Sequence, residues 1–205
     1  MNNEITLYRV CEIKKYYNNT QGIKIKEIRI RNQPSLHKCL EIIFDFIDLE
    51  IISIIFSNID YIDRSIEKLI NLKHLQLFYN KIETLPENIC KLTKLRILDL
   101  STNRISDIPI NIDNLSNLLD LNLCGNKIEI IPESLFELKN LKKIDLSQNK
   151  IKFMSDKISK LSNLEIFNVF YNKLTEIPIG LFELTKLKYL NMGNLLVDIK
   201  MYKNI

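Results

Sequence analysis

Asparagine stands at Asn80, Asn103, Asn126, Asn149 and Asn172, each 23 residues beyond the last. An amide side chain carries both donors and acceptors, so the chemistry this column offers is the closing of backbone groups where a chain must bend. Buried polar groups persist where they are satisfied, and the column therefore reads as structural: each amide bonds backbone of its own and the adjacent segment. Other chemistry-bearing residues are sparse. Cys124 is the one nucleophile at a position the repeat leaves open, and His74 falls two strands from it, about 10 Å at sheet spacing and beyond the reach that activation needs. Asp99 and Asp120 suit binding or solvation better than proton transfer. The chain has no glycine-rich phosphate loop, no paired metal-ligand cysteines and no His-Glu-x-x-His stretch. The motifs point away from an enzyme and call for neither cofactor nor metal.

What must position the asparagines is a unit that recurs with them. Leu72, Leu75 and Leu77 lie three and then two residues apart, so the last pair has the alternation of a short strand and the first turns into it. Asn80 follows where the chain leaves the strand. Ile82 and Leu85 turn back inward, Pro86 fixes a backbone angle and removes a donor, and Ile89 and Leu92 suit a helical turn. A unit of this size cannot cover its own apolar face, so units must stack with their strands side by side in a parallel sheet. Two of them read LKHLQLFYNKIETLPENICKLTK and LRILDLSTNRISDIPINIDNLSN. This resembles the leucine-rich repeat family, in its 23-residue form with Ile/Leu-Pro after the asparagine. The resemblance implies an α/β solenoid, a horseshoe with a parallel β-sheet on the concave face and short helices or turns on the convex face. It also implies a protein-protein interaction scaffold, similar to those of intracellular signalling proteins that engage small GTPases.

Length and charge narrow the function further. The 205 residues suit one domain. A net charge of +4 is too small and too dispersed to call for nucleic acid. The amino terminus lacks the unbroken apolar stretch of a secretory signal, and the most apolar run, Ile42 to Phe56, contains Asp45, Asp48 and Glu50, which argues against a membrane span. Cys11, Cys39, Cys90 and Cys124 are scattered without close pairs and read as reduced thiols, whereas extracellular members of the family often carry cysteine-clustered caps. The expected location is intracellular, in the cytoplasm.

Three segments follow along the chain. Residues 1–48 form a lead-in, a strand and a capping helix: Ile23 to Ile30, IKIKEIRI, alternates apolar and charged residues, and Leu36 to Ile47 carries an apolar stripe at Leu36, Leu40, Ile43, Phe44 and Ile47. His37 reads as a surface residue of that helix. The helix shares the proline-then-apolar pattern of F-box proteins, which would make the chain a substrate adaptor for a ubiquitin ligase. A structural or truncated repeat protein without ligand is the other alternative. Repeats fill residues 49–194, with starts near 49, 72, 95, 118, 141, 164 and 187. The first is degenerate, with Ser57 at the asparagine position and Asp63 at the proline position. Ser155 replaces proline in the unit from Leu141, which predicts a less rigid outer turn. The last unit loses the pattern at Leu195, leaving residues 195–205 as a tail and a strand edge open to self-association.

Between the paired leucines runs a polar row: Ser53, Gln76, Asp99, Asn122, Asp145, Asn168 and Asn191. His74, Asp120 and Lys143 belong to the row beside it. The two residues before each asparagine are Phe78-Tyr79, Ser101-Thr102, Cys124-Gly125, Ser147-Gln148 and Phe170-Tyr171. Aromatic pairs thus flank three small or polar steps and stand about 19 Å apart at strand spacing. Phe78, Tyr79, Asp99, Asp120, Asn122, Asp145, Asn168, Phe170 and Tyr171 form the predicted partner-binding set, aromatic anchors over carboxylates that favour a protein or peptide with basic groups. A cation column, Lys81, Arg104, Lys127, Lys150 and Lys173, is offset by Glu83, Asp107, Glu129 and Glu176 and lacks interleaved stacking aromatics. It reads as a solvated face, not a nucleic-acid site.

Overall fold

The computed structural model describes residues 24–34, 36 and 40–193, together with residue 13. The rest of the lead-in, Cys11, His37, Cys39 and everything from residue 194, including the break at Leu195 and the tail, lie outside the described residues.

Strands β1 (Glu27–Arg31), β2 (Ile51–Ile55), β3 (His74–Gln76), β4 (Ile97–Asp99), β5 (Asp120–Asn122), β6 (Lys143–Asp145), β7 (Ile166–Asn168) and β8 (Tyr189–Asn191) form one parallel sheet in chain order. The register carries the period directly: Leu75 lies opposite Leu98, and Leu98 opposite Leu121. Behind the sheet, Leu72, Leu75, Leu77, Ile82, Ile89 and Leu92 of one unit are each at most 1% exposed. They belong to one core cluster that runs through the stack. Burying each such side chain contributes about 1.5–3 kcal/mol, and no unit achieves it without its neighbours.

The asparagine amides join unit to unit. Asn103 Nδ2 donates to Leu77 O (2.9 Å) in the preceding unit and to Leu100 O (2.9 Å) in its own, while Oδ1 accepts from Ile82 N–H (3.0 Å). Asn80, Asn126, Asn149 and Asn172 repeat the arrangement. Where Ser57 stands instead, its hydroxyl donates to Ile55 O (2.9 Å) and accepts from Gln33 N–H (3.3 Å).

A second asparagine column lies at the opposite end of the strands. Asn71, Asn117, Asn140 and Asn163 donate Nδ2 to the carbonyls of Ile47 (3.4 Å), Thr93 (2.8 Å), Ser116 (2.8 Å) and Lys139 (2.8 Å) in the unit before. Lys94 and Lys186 occupy the two remaining places and donate Nζ to Asn71 (2.8 Å) and Asn163 (2.6 Å).

On the outer side the units turn through short 3₁₀ helices such as Glu87–Lys91 and Glu133–Glu137. Too few residues remain there for a full α-helix, and the tighter turn suits short pieces. Pro86 enters its turn at φ −70°, ψ 141°. Ser155 takes almost the same angles, φ −70° and ψ 145°, and its hydroxyl accepts from Lys157 N–H (3.3 Å). Asp63 does likewise toward Ser65 N–H (2.7 Å). Ser155 thus enters the same outer turn by a cap, since a serine or aspartate oxygen satisfies a free turn donor where proline presets the angle.

The alternating strand expected at the amino-terminal end is β1, the first of the sheet, with Ile28 and Ile30 buried and Arg29 and Arg31 exposed, and it belongs to a repeat unit of its own. Ile25, Ile28 and Ile30 are buried with the same three-then-two spacing as Leu72, Leu75 and Leu77, and Ile28 lies opposite Ile52. This is a further degenerate unit, 24 residues before Leu49, Ile52 and Ile54. Among the described residues helix α1 covers Leu40–Phe44 and stops short of Ile47, which is 57% exposed. The chain turns after Phe44, with Leu49 N–H bonding Phe46 O (3.0 Å), to bring Leu49 into the core.

Candidate functional site

Because alternate strand residues face opposite ways, the buried leucines leave two rows on the open side of the sheet. Ser53, Gln76, Asp99, Asn122, Asp145, Asn168 and Asn191 are in mutual register, strand to strand. Ile51, His74, Ile97, Asp120, Lys143, Ile166 and Tyr189 form the parallel row. Backbone bonds continue past the strands, from Tyr79 N–H to Ser101 O (3.0 Å) and from Gln148 N–H to Phe170 O (2.8 Å). These bonds carry the two aromatic pairs at the ends of the strands. The predicted partner-binding residues consequently share one face, with Phe78-Tyr79 and Phe170-Tyr171 four strands apart.

The acidic and amide side chains of the floor also hold local backbone. Asp99 Oδ1 accepts from Ser101 N–H (3.0 Å) and Oγ–H (2.7 Å). Asp145 Oδ1 accepts from Ser147 N–H (2.9 Å) and Oγ–H (2.5 Å), and its Oδ2 accepts from Asn168 Nδ2 (3.0 Å). Asn122 Oδ1 accepts from Cys124 N–H (3.1 Å), and Asn168 Oδ1 from Phe170 N–H (3.2 Å). Such side-chain-to-backbone bonds two residues on fix the start of each bend. Sequence reasoning missed this role, although Asp99-Leu100-Ser101 and Asp145-Leu146-Ser147 have the spacing that signals it. Asp120 Oδ2 meets Lys143 Nζ at 3.3 Å, and its Oδ1 is buried without a hydrogen-bond partner among the described residues.

Beyond the floor runs a rim at the residue before each asparagine position: Phe56, Tyr79, Thr102, Gly125, Gln148 and Tyr171, all with φ between 52° and 67°. Phe56 and Tyr79 stack with ring centroids 4.4 Å apart and planes 13° from parallel, and Arg31 Cζ lies 5.7 Å from the Phe56 centroid. Phe78 meets Tyr79 edge-on at 6.0 Å. At the far end Phe170 and Tyr171 contact each other at 3.8 Å, and Tyr171 is 66% exposed. Phe56 and Arg31 were not among the predicted site residues. Extending the Phe78-Tyr79 column back one period reaches Phe56.

Burial shifts both the Cys124 thiol and the His74 imidazole. Burial pushes the Cys124 thiol up, the Ser147 hydroxyl (Oγ to Sγ, 3.1 Å) opposes this, and Asp145 and Asp99 push it further up. A protonated thiol is the weak form of this nucleophile. His74 is shifted down by burial first, then by Arg96, Lys73 and Arg29. Among the described residues no group of three or more His, Cys, Asp or Glu side chains is placed to hold a metal, and no helix is long and apolar enough to cross a membrane. In the cation column, Arg104 pairs with Glu83 (3.5 Å) and Lys150 with Glu129 (3.8 Å).

Comparison with known families agrees with the repeat geometry. The family model described as leucine-rich repeat region matches residues 55–145, and that described as leucine rich repeat matches residues 139–196. The chain belongs to the leucine-rich repeat family. No curated protein sequence matches this leucine-rich repeat chain significantly. Many solved structures share its fold. An internalin from Listeria monocytogenes is 24% identical with a TM-score of 0.69, covering 83% of this chain and 48% of its own. The plant peptide hormone receptor RGFR1, in a complex with RGF2, is 26% identical with a TM-score of 0.70, covering 83% and 29%. A TDR receptor is 20% identical with a TM-score of 0.78, covering 94% and 34%. The leucine-rich repeat chain thus spans less than half the length of each of these three proteins.

Proposed function

We propose that this leucine-rich repeat protein is a non-catalytic interaction scaffold that holds a protein or peptide segment across the open face of its sheet. The observation that carries this reading is the pair of partly exposed aromatic clusters, Phe56-Phe78-Tyr79 and Phe170-Tyr171, set at the two ends of a polar floor. Rings anchor interfaces because they bury large area with few rotatable bonds, and the Asp99, Asp120 and Asp145 carboxylates favour a partner that brings basic groups. The RGFR1 complex is a precedent for ligand binding by a protein of similar fold. A cytoplasmic location suits the free thiols of Cys90 and Cys124.

The experiment is affinity capture with the whole chain, followed by measured binding of the recovered partner to wild type and to a Tyr79→Ala/Tyr171→Ala variant. Loss of about tenfold or more in affinity, with the fold intact by circular dichroism, is the expected result. Equal affinity would remove the open face as the binding surface.

A further inference from the structure

We infer that the outward face of Tyr79 seats an arginine side chain of the bound partner, with the Asp99 carboxylate as its counter-charge. This rests on the interaction reading above and specifies one contact within it.

The chain itself shows the mode of contact. Arg31, which lies opposite Ile55 in the strand before, covers the Phe56 ring at 5.7 Å, and Phe56 covers Tyr79 at 4.4 Å, so a cation and two rings from three successive units stack in line. The next two places along the rim are Thr102 and Gly125, a short side chain and none. The Tyr79 ring meets Phe56 and Phe78, and among the described residues no third ring or cation stacks on it. It remains 49% exposed. A planar cation laid on this surface over Thr102 and Gly125 would close the stack as Arg31 closes its other end.

The charge sits on the same side. Asp99 Oδ1 is held by Ser101, whereas Oδ2 accepts no hydrogen bond and joins no ion pair among the described residues. Asp145, by contrast, has both oxygens occupied, by Ser147 and Asn168. Ser101 links the two halves of the proposed seat, because its carbonyl accepts from Tyr79 N–H (3.0 Å) while its hydroxyl donates to Asp99 (2.7 Å). Arginine fits where lysine does not: its guanidinium is flat, stacks on rings and presents a fork of donors to a carboxylate, whereas an ammonium is a strongly hydrated point charge.

The test is selection of short random peptides displayed on phage against the whole chain, with binding of the selected peptides measured on wild type, Tyr79→Leu, Asp99→Asn and Tyr171→Ala. Asp99→Asn keeps the acceptor for Ser101 and removes only the charge, and melting curves show which variants are folded. The expected outcome is enrichment of arginine, a loss of about tenfold when that arginine becomes lysine, and a loss of about fivefold or more on Tyr79→Leu and Asp99→Asn. Peptides that weaken on Tyr171→Ala but tolerate lysine, or ignore Tyr79→Leu and Asp99→Asn, would sink the arginine seat and leave the open face standing. Peptides that bind all variants alike, or no enrichment at all, would overturn both.

Discussion

Phe56 and Tyr79 lie face to face at 4.4 Å although both hold left-handed backbone angles, φ 53° and 55°. That region costs a residue with a Cβ about 1–2 kcal/mol, and an aromatic pair contributes about 0.5–1.5 kcal/mol beyond its burial. Two residues carry that cost against a single stack, so the pairing of the rings offsets only part of the strain. A double-mutant cycle of Phe56→Ala and Tyr79→Ala in urea unfolding should give a coupling of about 0.5–1.5 kcal/mol. A coupling indistinguishable from zero would mean that the rings do not support each other.

Gln148 shares the backbone strain, at φ 55°, and as a residue without a ring it forms no aromatic stack to offset it. Gln148→Gly should therefore stabilise the protein by up to about 1 kcal/mol in thermal melting. Tyr79→Gly should gain less, because it sacrifices the stack along with the strain. The reverse order would refute this account of the rim.

Removing one central amide should be costly. Asn126 satisfies Ile105 N–H and the carbonyls of Leu100 and Leu123, all buried. Asn126→Ala leaves them unpaired and should cost about 1–3 kcal/mol. A melting temperature equal to that of wild type would contradict the bonding described.

Gly180 and Gly125 differ in why they are glycine. A Cβ on Gly180 would lie 1.9 Å from Asp156 O, so alanine there must push the last units apart. At Gly125 a Cβ meets Thr102 at an ordinary 3.5 Å, and only φ 67° resists it. Gly180→Ala should destabilise by about 1–3 kcal/mol and Gly125→Ala by about 1 kcal/mol, measured by chemical denaturation.

Glu50 ties the starts of the first three strands together, accepting from Lys26 (2.8 Å) and Lys73 (2.6 Å). Those two hydrogen bonds hold its carboxyl at about 2, down from the usual 4.5. The folded value is the lower one, so the stabilisation is fully present above pH 4.5 and is lost as pH falls through about 2. Wild type should lose stability relative to Glu50→Gln across that window in acid titrations. Parallel curves would show that the bridge contributes nothing.

Much of this architecture was legible in the order of residues. A step of 23 residues sets which side chains share a column, because stacked units of equal length must place their leucines and asparagines in register. That reasoning reached the parallel sheet, the turn asparagines and the two aromatic pairs. It passed over the column of Asn71, Asn117, Asn140 and Asn163, since Lys94 and Lys186 interrupt its period. It read Ile23 to Ile30 as an alternating strand and passed over the repeat unit around it, because that unit stands 24 residues from the next.

What only the tertiary structure decided is the conduct of side chains once a column is given. Tyr79 turns toward Phe56 of the unit before it, Asp99 gives one oxygen to Ser101 and keeps the other free, and Lys143 draws in Asp120. A period places Cβ atoms. Rotamers and pairings follow from competition among neighbours of different units, which becomes definite only when the chain is folded.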